Sequence, residues 1–405
     1  MHIKPTSANV LSIVPSDPES FDLSEHLAIQ HAVELMQIKS ITPVDGGCQT
    51  YLADKLAALG FDILHLPDHG VSNLIARIGR GDTHIGFSGH TDVVPPGDIN
   101  RWRTSPFVPH IQDGNLYGRG AADMKTGVAA MLAACETFDW QLLDSQYSFW
   151  WLITSDEEGE AEFGSQSIKH YLDHAGVQLD RLIVGEPTAA GQTGDAIKVG
   201  RRGSLSASVK IRGKQGHVAY PQQALNAAHI AARIVSALEN LHFDAGSIDF
   251  PGTTLQVTQI DTGSYSDNIV PGQCQISFNV RYASDYTESQ LKAMITNLIE
   301  DIAFEYELEW QRPCVAYLSQ PRTHGDCLIH DSEQAIHAIT GRYPVLSTAG
   351  GTSDGRFFAN THTQVVELGV PNRTIHQVNE HVALDDIRTL QAIFAQLLDR
   401  SLQAQ

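Results

Sequence analysis

The stretch Phe149-Trp150-Trp151-Leu152-Ile153-Thr154-Ser155-Asp156-Glu157-Glu158-Gly159 decides the fold. Residues 149–154 are apolar or β-branched throughout, which predicts a strand buried on both faces, as in the sheets of α/β proteins. Adjacent glutamates are usually a solvated charge run, but directly after a buried aromatic strand, and before a glycine, they are poorly placed for that. Because α/β sheets place their sites at the carboxyl ends of strands, the stretch predicts a site that includes Glu157 and Glu158.

Two further strand ends repeat this arrangement. The run 84–88 (HIGFS) predicts a strand that ends just before His90 and Asp92, and the run 182–184 (LIV) predicts another that ends before Glu186. Three polar segments that all follow strands are a stronger signal than any one short motif. In addition, the run MKTGVAAMLAACETF predicts a helix whose first turn follows Asp123. The sequence therefore predicts that these segments meet at one edge of a sheet.

The alternation of strand and helix patterns typical of α/β proteins occupies two separate parts of the chain, residues 25–202 and residues 320–405. The first part begins with apolar residues at helical spacing, which predict helix from Glu25 to about Gly60. Residues 1–24 have no sustained apolar run, so they do not resemble a signal peptide, and we interpret them as an N-terminal extension of unassigned role.

The intervening residues 203–319 have a different pattern. Polar and apolar residues alternate at 204–213 and 275–282, which is typical of antiparallel strands exposed on one face. Helical patterns follow at 225–241 and 288–300. We therefore predict an α+β insertion of about a hundred residues, a common domain size, between two pieces of a catalytic domain.

Composition sets limits on the class of protein. At 405 residues, 42% of them hydrophobic, the chain is long for a single core and has no apolar run that could span a bilayer. Its five cysteines are an odd number without paired short spacing, which indicates free thiols and a cytoplasmic location. The formal net charge of −20 argues against nucleic acid as a partner. An anionic substrate would need local cations to bind such a surface.

Five residues of the kinds that bind metals are spread along the chain: His90, Asp123, Glu158, Glu186 and His376. Each has an ordinary explanation by itself, because short motifs often match by chance, and an aspartate before a helix is often only its N-cap. Histidine and carboxylate together suit zinc, and one bridging carboxylate can hold two ions close together. The set as a whole therefore predicts a two-metal site, which could activate water for amide hydrolysis.

On these motifs the chain resembles the M20 family of di-zinc metallopeptidases and deacylases, from about residue 25 to the end. The resemblance rests on GHTDVVPPGD (89–98), LYGRGAADMK (116–125), ITSDEEG (153–159), GEPT (185–188), GRRGS (200–204), QGHVAYP (215–221), GGTSDGRF (350–357) and PNRTIH (371–376). It implies an α/β catalytic domain whose central mixed sheet is flanked by helices, with an inserted α+β lid and dimerisation domain. The motifs GRRGS and GGTSDGRF point to the branch that cleaves N-succinyl-L,L-2,6-diaminopimelate into succinate and L,L-diaminopimelate.

The resemblance also implies a role for each residue of the metal site. One zinc would be held by His90, Asp123 and Glu186, and the other by Asp123, Glu158 and His376, with Co²⁺ or Mn²⁺ possible at one position. Asp92 would orient the His90 imidazole, as carboxylates commonly do for metal-binding histidines. Glu157 would be the general base, which takes a proton from a metal-bound water and passes it to the departing amine.

The remaining implied residues bind the substrate. His217 would reach from one subunit into the site of the other and donate to the oxyanion, which would make catalysis depend on the homodimer. A planar guanidinium grips a carboxylate with two hydrogen bonds, so Arg201 and Arg281, with Arg356 as a further candidate, would bind the substrate's carboxylates. Hydrogen bonds to the substrate would come from Ser204, Tyr220, Asn268, Thr352 and Asn372.

Other functions stay open at this level. Another M20 deacylase, such as one acting on N-acetylornithine, or an M20 carboxypeptidase would use the same chemistry with a different pocket. A non-catalytic homologue that binds a ligand without turnover would be expected to lose the base or a metal ligand, and this chain has all six. Asp267 also departs from the family pattern, since an amide is expected beside Asn268. An acid there would either point away from an anionic substrate or contact its amino group.

Overall fold

The computed structural model describes residues 26–263, 266–283, 285–319 and 327–403. The N-terminal extension, residues 1–24, lies outside the described residues. The helices are α1 (Leu27–Gln37), α2 (Cys48–Ala58), α3 (Lys125–Thr137), α4 (Ser165–His174), α5 (Ala227–Glu239), α6 (Glu288–Glu300), α7 (Leu328–Thr340), α8 (Gly355–Phe358) and α9 (Leu384–Leu402).

The strands are more numerous and mostly short. They are β1 (Asp62–His65), β2 (Asn73–Gly79), β3 (Thr83–His90), β4 (His110–Gln112), β5 (Asn115–Tyr117), β6 (Tyr147–Thr154), β7 (Arg181–Val184), β8 (Ala196–Lys198), β9 (Gly200–Arg201), β10 (Gly203–Arg212), β11 (Gly216–His217), β12 (Thr254–Asp261), β13 (Ile269–Val270), β14 (Gln273–Tyr282), β15 (Tyr306–Trp310), β16 (Tyr317–Leu318), β17 (Val345–Ser347), β18 (Gln364–Glu367) and β19 (His381–Ala383).

The chain forms two compact units. The first comprises the described residues of Met1–Ile197, Gln320–Leu346 and Phe357–Gln405, and the second comprises those of Lys198–Ser319 and Ser347–Arg356. The first unit is therefore assembled from three stretches of sequence and the second from two.

The first unit contains an eight-stranded mixed sheet in the order β1-β2-β6-β3-β7-β18-β8-β17. Its centre is parallel, because β3 pairs in parallel with both β6 and β7, and β7 pairs in parallel with β18. The predicted strand 149–154 is the inner part of β6, which is buried along almost its whole length. Helix α3 packs against α1 and α9, and every residue from Lys125 to Cys135 is buried. The predicted α/β class, with a central mixed sheet flanked by helices, is confirmed.

The helix expected from Glu25 to about Gly60 is wrong as a single element. Two helices, α1 and α2, occupy this region, and the segment between them follows another path. The buried ammonium of Lys125 donates to the carbonyl oxygens of Leu35 (2.7 Å) and Ile38 (2.8 Å), which satisfies the end of α1 from outside the helix. The carboxylate of Asp45 accepts from the backbone N–H of Gly47 and Gln49 where α2 begins. Helical spacing alone does not show that a distant lysine caps the end of α1 or that a nearby aspartate caps the start of α2.

The second unit contains a four-stranded antiparallel sheet in the order β12-β14-β10-β15. Along β10 and β14, buried residues alternate with more exposed ones, as the sequence pattern predicts for a sheet covered on one face. The covered face packs with the apolar sides of α5 and α6 into one core that includes Leu205, Ile234, Phe278 and Ile295. The predicted strands at 204–213 and 275–282 and the helices near 225–241 and 288–300 correspond to β10, β14, α5 and α6.

Within the described ranges, no helix combines the length and the apolar character that crossing a lipid bilayer requires.

Candidate metal centre

The three predicted strand ends lie side by side in the first unit. Strand β3 ends at His90 itself, Glu157 and Glu158 follow the end of β6, and Glu186 follows the end of β7. Because these strands are parallel neighbours, their carboxyl ends share one edge of the sheet. Local strand geometry therefore delivers four of the polar side chains to one place.

Asp123 reaches the same place from the start of α3, and this requires a close approach of two backbones. Gly127, in the first turn of α3, passes the loop of Gly185 so closely that an added Cβ would lie 2.2 Å from the Gly185 carbonyl oxygen. Only glycine permits this approach. The two glycines thus allow the start of α3 to lie close to the loop that carries Glu186.

Asp123 lies between two histidines. Its Oδ1 is 3.2 Å from His90 Nε2, and its Oδ2 is 3.4 Å from His376 Nε2. On either side, Glu186 Oε1 lies 3.5 Å from His90 Nε2, and Glu158 Oε1 lies 3.1 Å from His376 Nε2. Each oxygen of the Asp123 carboxylate therefore faces one histidine and its companion glutamate, which is the arrangement that a bridging ligand needs.

Donor atoms crowd together here in the way that metal sites require. Ligand atoms of His90, Asp123 and Glu158 lie within 4.8 Å of one another, and so do those of His90, Glu157 and Glu186. Glu157 lies somewhat farther from His90, with Oε2 4.0 Å from Nε2, but it still belongs to the same group of donor atoms. Distances alone do not separate the predicted base from the predicted ligands.

The His90 imidazole has a defined orientation. Its Nδ1 lies 2.9 Å from the backbone carbonyl oxygen of Asp92, which can only accept, so Nδ1 carries the proton and donates it. In the neutral ring, Nε2 is then an unprotonated nitrogen facing the carboxylates of Asp123 and Glu186. Two acceptors that face each other at this distance need a cation between them, either a proton or a metal ion.

The pKa shifts of these side chains also indicate that the site requires positive charge. Burial lowers the pKa of His90, but its hydrogen bonds with Asp123 and Glu186 outweigh burial and hold the pKa well above its usual value. Hydrogen bonds with Asp123 and Glu158 raise the pKa of His376 to about 10. Burial, and then the charge of Asp123, raise the pKa of Glu186 to about 7. These carboxylates attract positive charge strongly, and two divalent ions would supply it in place of protons. The residues present therefore fit a two-metal centre.

Asp92 is fully buried, and its carboxylate is nearer to the glutamate loop than to His90. The carboxylate accepts from the backbone N–H of Glu158 at 3.1 Å and of Glu157 at 3.4 Å, whereas Oδ1 is 3.6 Å from His90 Nδ1. Burial raises the pKa of Asp92 to about 6, and the charge of His90 opposes this. Asp92 thus holds His90 through its carbonyl and the Glu157–Glu158 backbone through its side chain.

His376 belongs to a loop that is fixed at both ends. Its backbone is left-handed (φ 60°), a conformation that non-glycine residues adopt only when their surroundings require it. The Thr374 hydroxyl donates to the carbonyl of His381 at 2.6 Å and accepts from the His381 N–H at 3.2 Å, which closes the loop. The side chain of His376 is half exposed, so the centre is open to solvent on this side.

Four of the predicted substrate residues lie in the second unit near the start of β10. Ser204, on β10, pairs with Arg281, on β14. Asn279 connects them, because its Nδ2 donates to Ser204 Oγ (2.9 Å) and its Oδ1 accepts from Arg281 Nε (3.0 Å). The buried Arg201 is approached by Gly350, where an added Cβ would lie 2.5 Å from Arg201 Nη1, and Thr352 follows two residues later. Among the described residues, Arg281 forms no ion pair.

The other predicted substrate residues are exposed, except Arg356, whose side chain is only 10% exposed. In the second unit, His217 pairs with Ile269 next to Asn268, and its ring lies 5.9 Å from that of Tyr220. Asp267 is exposed beside Asn268. Asn372 belongs to the first unit, where its N–H donates to the Ala189 carbonyl. Arg356 donates to the Ser353 carbonyl.

Two residues near these sites were missed by sequence reasoning. Glu380, four residues after His376, is fully buried against the backbone that leads to Asp123. Asn279 orients Arg281. A glutamate in a polar loop and an asparagine in an alternating strand carry no local signal, since their partners are distant in sequence.

Comparison with known proteins identifies the family. A model of the peptidase family M20/M25/M40 matches residues 86–400. The chain belongs to this family, and the protein is a metal-dependent amidohydrolase. The predicted membership is confirmed.

Two curated relatives are similar along nearly the whole chain. The chain is 55% identical to succinyl-diaminopimelate desuccinylase 1 of Alteromonas mediterranea, over 92% of this chain and 95% of that protein. It is 49% identical to succinyl-diaminopimelate desuccinylase 2 of Shewanella loihica, over 92% and 99%.

Solved structures share the fold at lower identity. An M20 family metallo-carboxypeptidase from Sulfolobus solfataricus superposes with a TM-score of 0.75 at 18% identity, covering 92% of this chain and 99% of that one. A dinuclear metal-binding M20 peptidase from Bacillus subtilis superposes with a TM-score of 0.66 at 17% identity, covering 91% and 96%.

Proposed function

We propose that the protein hydrolyses the amide of N-succinyl-L,L-2,6-diaminopimelate, releasing succinate and L,L-diaminopimelate for diaminopimelate and lysine biosynthesis in the cytoplasm. The observation that carries this proposal is the similarity to two succinyl-diaminopimelate desuccinylases over nine tenths of the chain. The proximity of all five candidate ligands, with Glu157 beside them, supports catalysis rather than binding alone.

Two zinc ions suit the mixed histidine and carboxylate donors, with cobalt or manganese as substitutes at one position. His90, Asp123 and Glu186 would hold one ion, and Asp123, Glu158 and His376 would hold the other. The basis is that the two Asp123 oxygens face different histidines. Bound there, such a pair of ions would supply Lewis acidity to the amide carbonyl and to the attacking water near neutral pH.

Glu157 moves the proton in this scheme. Its carboxylate takes a proton from the attacking water and then gives it to the amine nitrogen as the amide bond breaks. Asp92 holds the backbone N–H groups of both Glu157 and Glu158, so one buried carboxylate sets the positions of base and ligand together. This explains how adjacent glutamates can serve different purposes.

Cationic groups of the second unit bind the substrate's three carboxylates. The Arg281 guanidinium is anchored through Nε by Asn279, which leaves its two terminal nitrogens for a carboxylate. Arg201 supplies a second grip, and Ser204, Tyr220, Asn268, Thr352 and Asn372 supply hydrogen bonds. Local cations of this kind overcome the repulsion that a net charge of −20 exerts on an anionic substrate.

The second unit also acts as a lid and dimerisation domain. His217 Nδ1 accepts from the Ala219 N–H at 3.1 Å, so the neutral ring carries its proton on Nε2, at the exposed end of the side chain. That N–H is available to donate to the oxyanion in the site of the other subunit of a homodimer. Mixing subunits that carry His217→Ala with subunits that carry Glu157→Ala tests this role. Partial recovery of activity supports it, whereas properly exchanged heterodimers without activity contradict it.

The reaction itself is tested by measuring amine release from N-succinyl-L,L-2,6-diaminopimelate by the zinc-loaded protein, with N-acetylornithine in parallel. Preferential turnover of the succinyl substrate is expected. Preference for the acetyl substrate would overturn the choice of substrate but keep the metal chemistry. Turnover of neither by a protein with two bound ions would favour a ligand-binding role.

A further inference from the structure

The Glu380 carboxylate makes four hydrogen bonds to one short segment of the first unit. Its Oε2 accepts from Arg119 Nη1 at 2.6 Å and from the Gly120 N–H at 3.1 Å. Its Oε1 accepts from the N–H groups of Ala122 at 2.8 Å and Asp123 at 3.1 Å. The carboxylate is fully buried, so water does not compete for these bonds.

All four donors precede or belong to Asp123, which faces both histidines. The Asp123 backbone N–H is therefore fixed by Glu380, while its side chain spans the space between His90 Nε2 and His376 Nε2. A shift of this backbone would move both carboxylate oxygens together. A ligand shared by two ions tolerates such a shift poorly, since metal sites require geometry within about 0.5 Å.

Hydrogen bonds connect the backbone around Glu380 to the loop that holds His376. The Gly118 N–H donates to the Glu380 carbonyl oxygen at 3.0 Å. The next residue, His381, begins β19, which pairs with β5, and Thr374 bonds to His381 across the loop that holds His376. Glu380 thus lies where the Asp123 segment and the His376 loop join.

Arg119 makes this buried charge tolerable. Its guanidinium pairs with Glu380 and stacks over the Trp102 ring, 5.2 Å from the centroid, and both members of the pair are buried. A buried carboxylate without such a partner would be strongly destabilising. Arg119 therefore offsets the charge of Glu380, whereas the backbone N–H bonds fix the position of Asp123.

We propose that Glu380 is a positioning residue that holds Asp123 at the distance from His376 at which one carboxylate can bridge two metal ions. This inference rests on the proposed two-metal function. It gives Glu380 a role at the metal centre without direct contact with an ion. The hydrogen-bond partners of metal ligands commonly act in this indirect way.

The test measures Zn²⁺ binding to the metal-free full-length protein by isothermal titration calorimetry. In Glu380→Gln, an amide group faces N–H donors, so the Gly120–Asp123 backbone should shift. The affinity for the more weakly held ion should fall about 10-fold to 100-fold. The matched control is Asp331→Asn, which alters another buried carboxylate, near Arg181 (3.5 Å) and Arg400 (3.7 Å), away from the metal ligands. It should lower thermal stability but leave both Zn²⁺ affinities unchanged.

A second variant separates positioning from folding. Arg119→Met combined with Glu380→Gln removes both charges, so no charge is left buried without a partner, and should fold even if the single variant does not. Loss of Zn²⁺ affinity in the folded double variant supports the proposal, and two ions bound as tightly as in the parent overturn it. If the parent itself binds fewer than two ions, the proposed function fails and this inference fails with it.

Discussion

The polar groups of the two units are held in different ways. In the first unit, His90, Asp123 and Glu186 are almost completely buried, and their positions are set by strand ends, a close glycine contact and buried carboxylates. In the second unit, His217, Tyr220 and Asn268 are exposed on short strands and turns. Rigid groups suit metal ions, which demand exact geometry, and exposed groups suit a substrate that must enter and leave. The comparison predicts that changes in the first unit can affect metal binding, and that changes in the second leave metal binding intact.

The largest effect is expected from Glu157→Gln, which keeps the shape of the side chain but removes the proposed base. The turnover number should fall about 1,000-fold, because general base catalysis contributes at this order. Metal content, measured by mass spectrometry, should stay at the parent's level. The exposed Glu34→Gln on α1 is the control. Retention of most activity would show that another group takes the proton.

A smaller effect is expected from Arg281→Met in the second unit. Loss of a charge-assisted hydrogen bond to a substrate carboxylate should raise KM about 10-fold to 100-fold. The metal content should not change. Arg233→Met, at an exposed position on α5, removes the same charge from the same unit and should leave KM near the parent's value. A change in metal affinity in the Arg281 variant would contradict the prediction that changes in the second unit leave metal binding intact.

Gly127→Ala tests the close backbone approach in the first unit. The added methyl would lie 2.2 Å from the Gly185 carbonyl oxygen, so α3 must move away from the loop that carries Glu186. We expect a loss of about 1–3 kcal/mol in the free energy of unfolding, as for other overpacked positions. Metal affinity should weaken as well. Gly351→Ala, where an added Cβ has open space, is the control, and equal stabilities of the two variants would contradict the role of this contact.

The smallest effect concerns His31, a buried histidine away from the metal ligands. Its Nδ1 lies 2.7 Å from Tyr51 OH, and its Nε2 lies 2.9 Å from Glu136 Oε2. Burial lowers the pKa of His31; Lys55 lowers it further, whereas Glu136 and Glu34 raise it. The unfolded chain, titrating near pH 6.5, therefore binds this proton more readily than the folded protein does.

The stability that His31 contributes is thus complete above about pH 6.5 and is lost as the pH falls through its lowered folded pKa. His31→Gln should flatten the dependence of the unfolding free energy on pH in this acidic range, measured by urea denaturation. His65→Gln changes an exposed histidine and should follow the parent's curve. Parallel curves for the His31 variant and the parent would refute the assignment.

Local pattern predicted much of the first unit. His90, Glu157, Glu158 and Glu186 follow buried strands directly, so the alternation of strands and polar motifs was enough to bring them together. The break between α1 and α2 was not predictable in this way, because a lysine about ninety positions away caps the end of α1 (Lys125 to Leu35). The same reason hides Glu380 from sequence reasoning.

The second unit shows the same limit in another form. Its strands and helices follow from alternation and helical spacing, but Ser347–Arg356 belongs to it although the chain has already returned to the first unit. No local sequence pattern indicates that this segment joins the second unit. The resemblance named Arg201, Arg281 and Thr352, whereas the anchoring of Arg281 by Asn279 emerged only from the paired strands.

The pairing of Arg119 with Glu380 joins residues 261 positions apart in sequence. During synthesis, the Asp123 segment leaves the ribosome long before Glu380 exists to fix it. Loop closure over such a separation comes late in folding, after the local helices and strand pairs have formed. The nascent chain therefore carries His90 and Asp123 for much of its synthesis without the Glu380 contacts that complete the candidate metal centre. If Glu380 positions Asp123 as proposed, tight metal uptake is a final event in maturation, open only to chains whose C-terminal segment has docked.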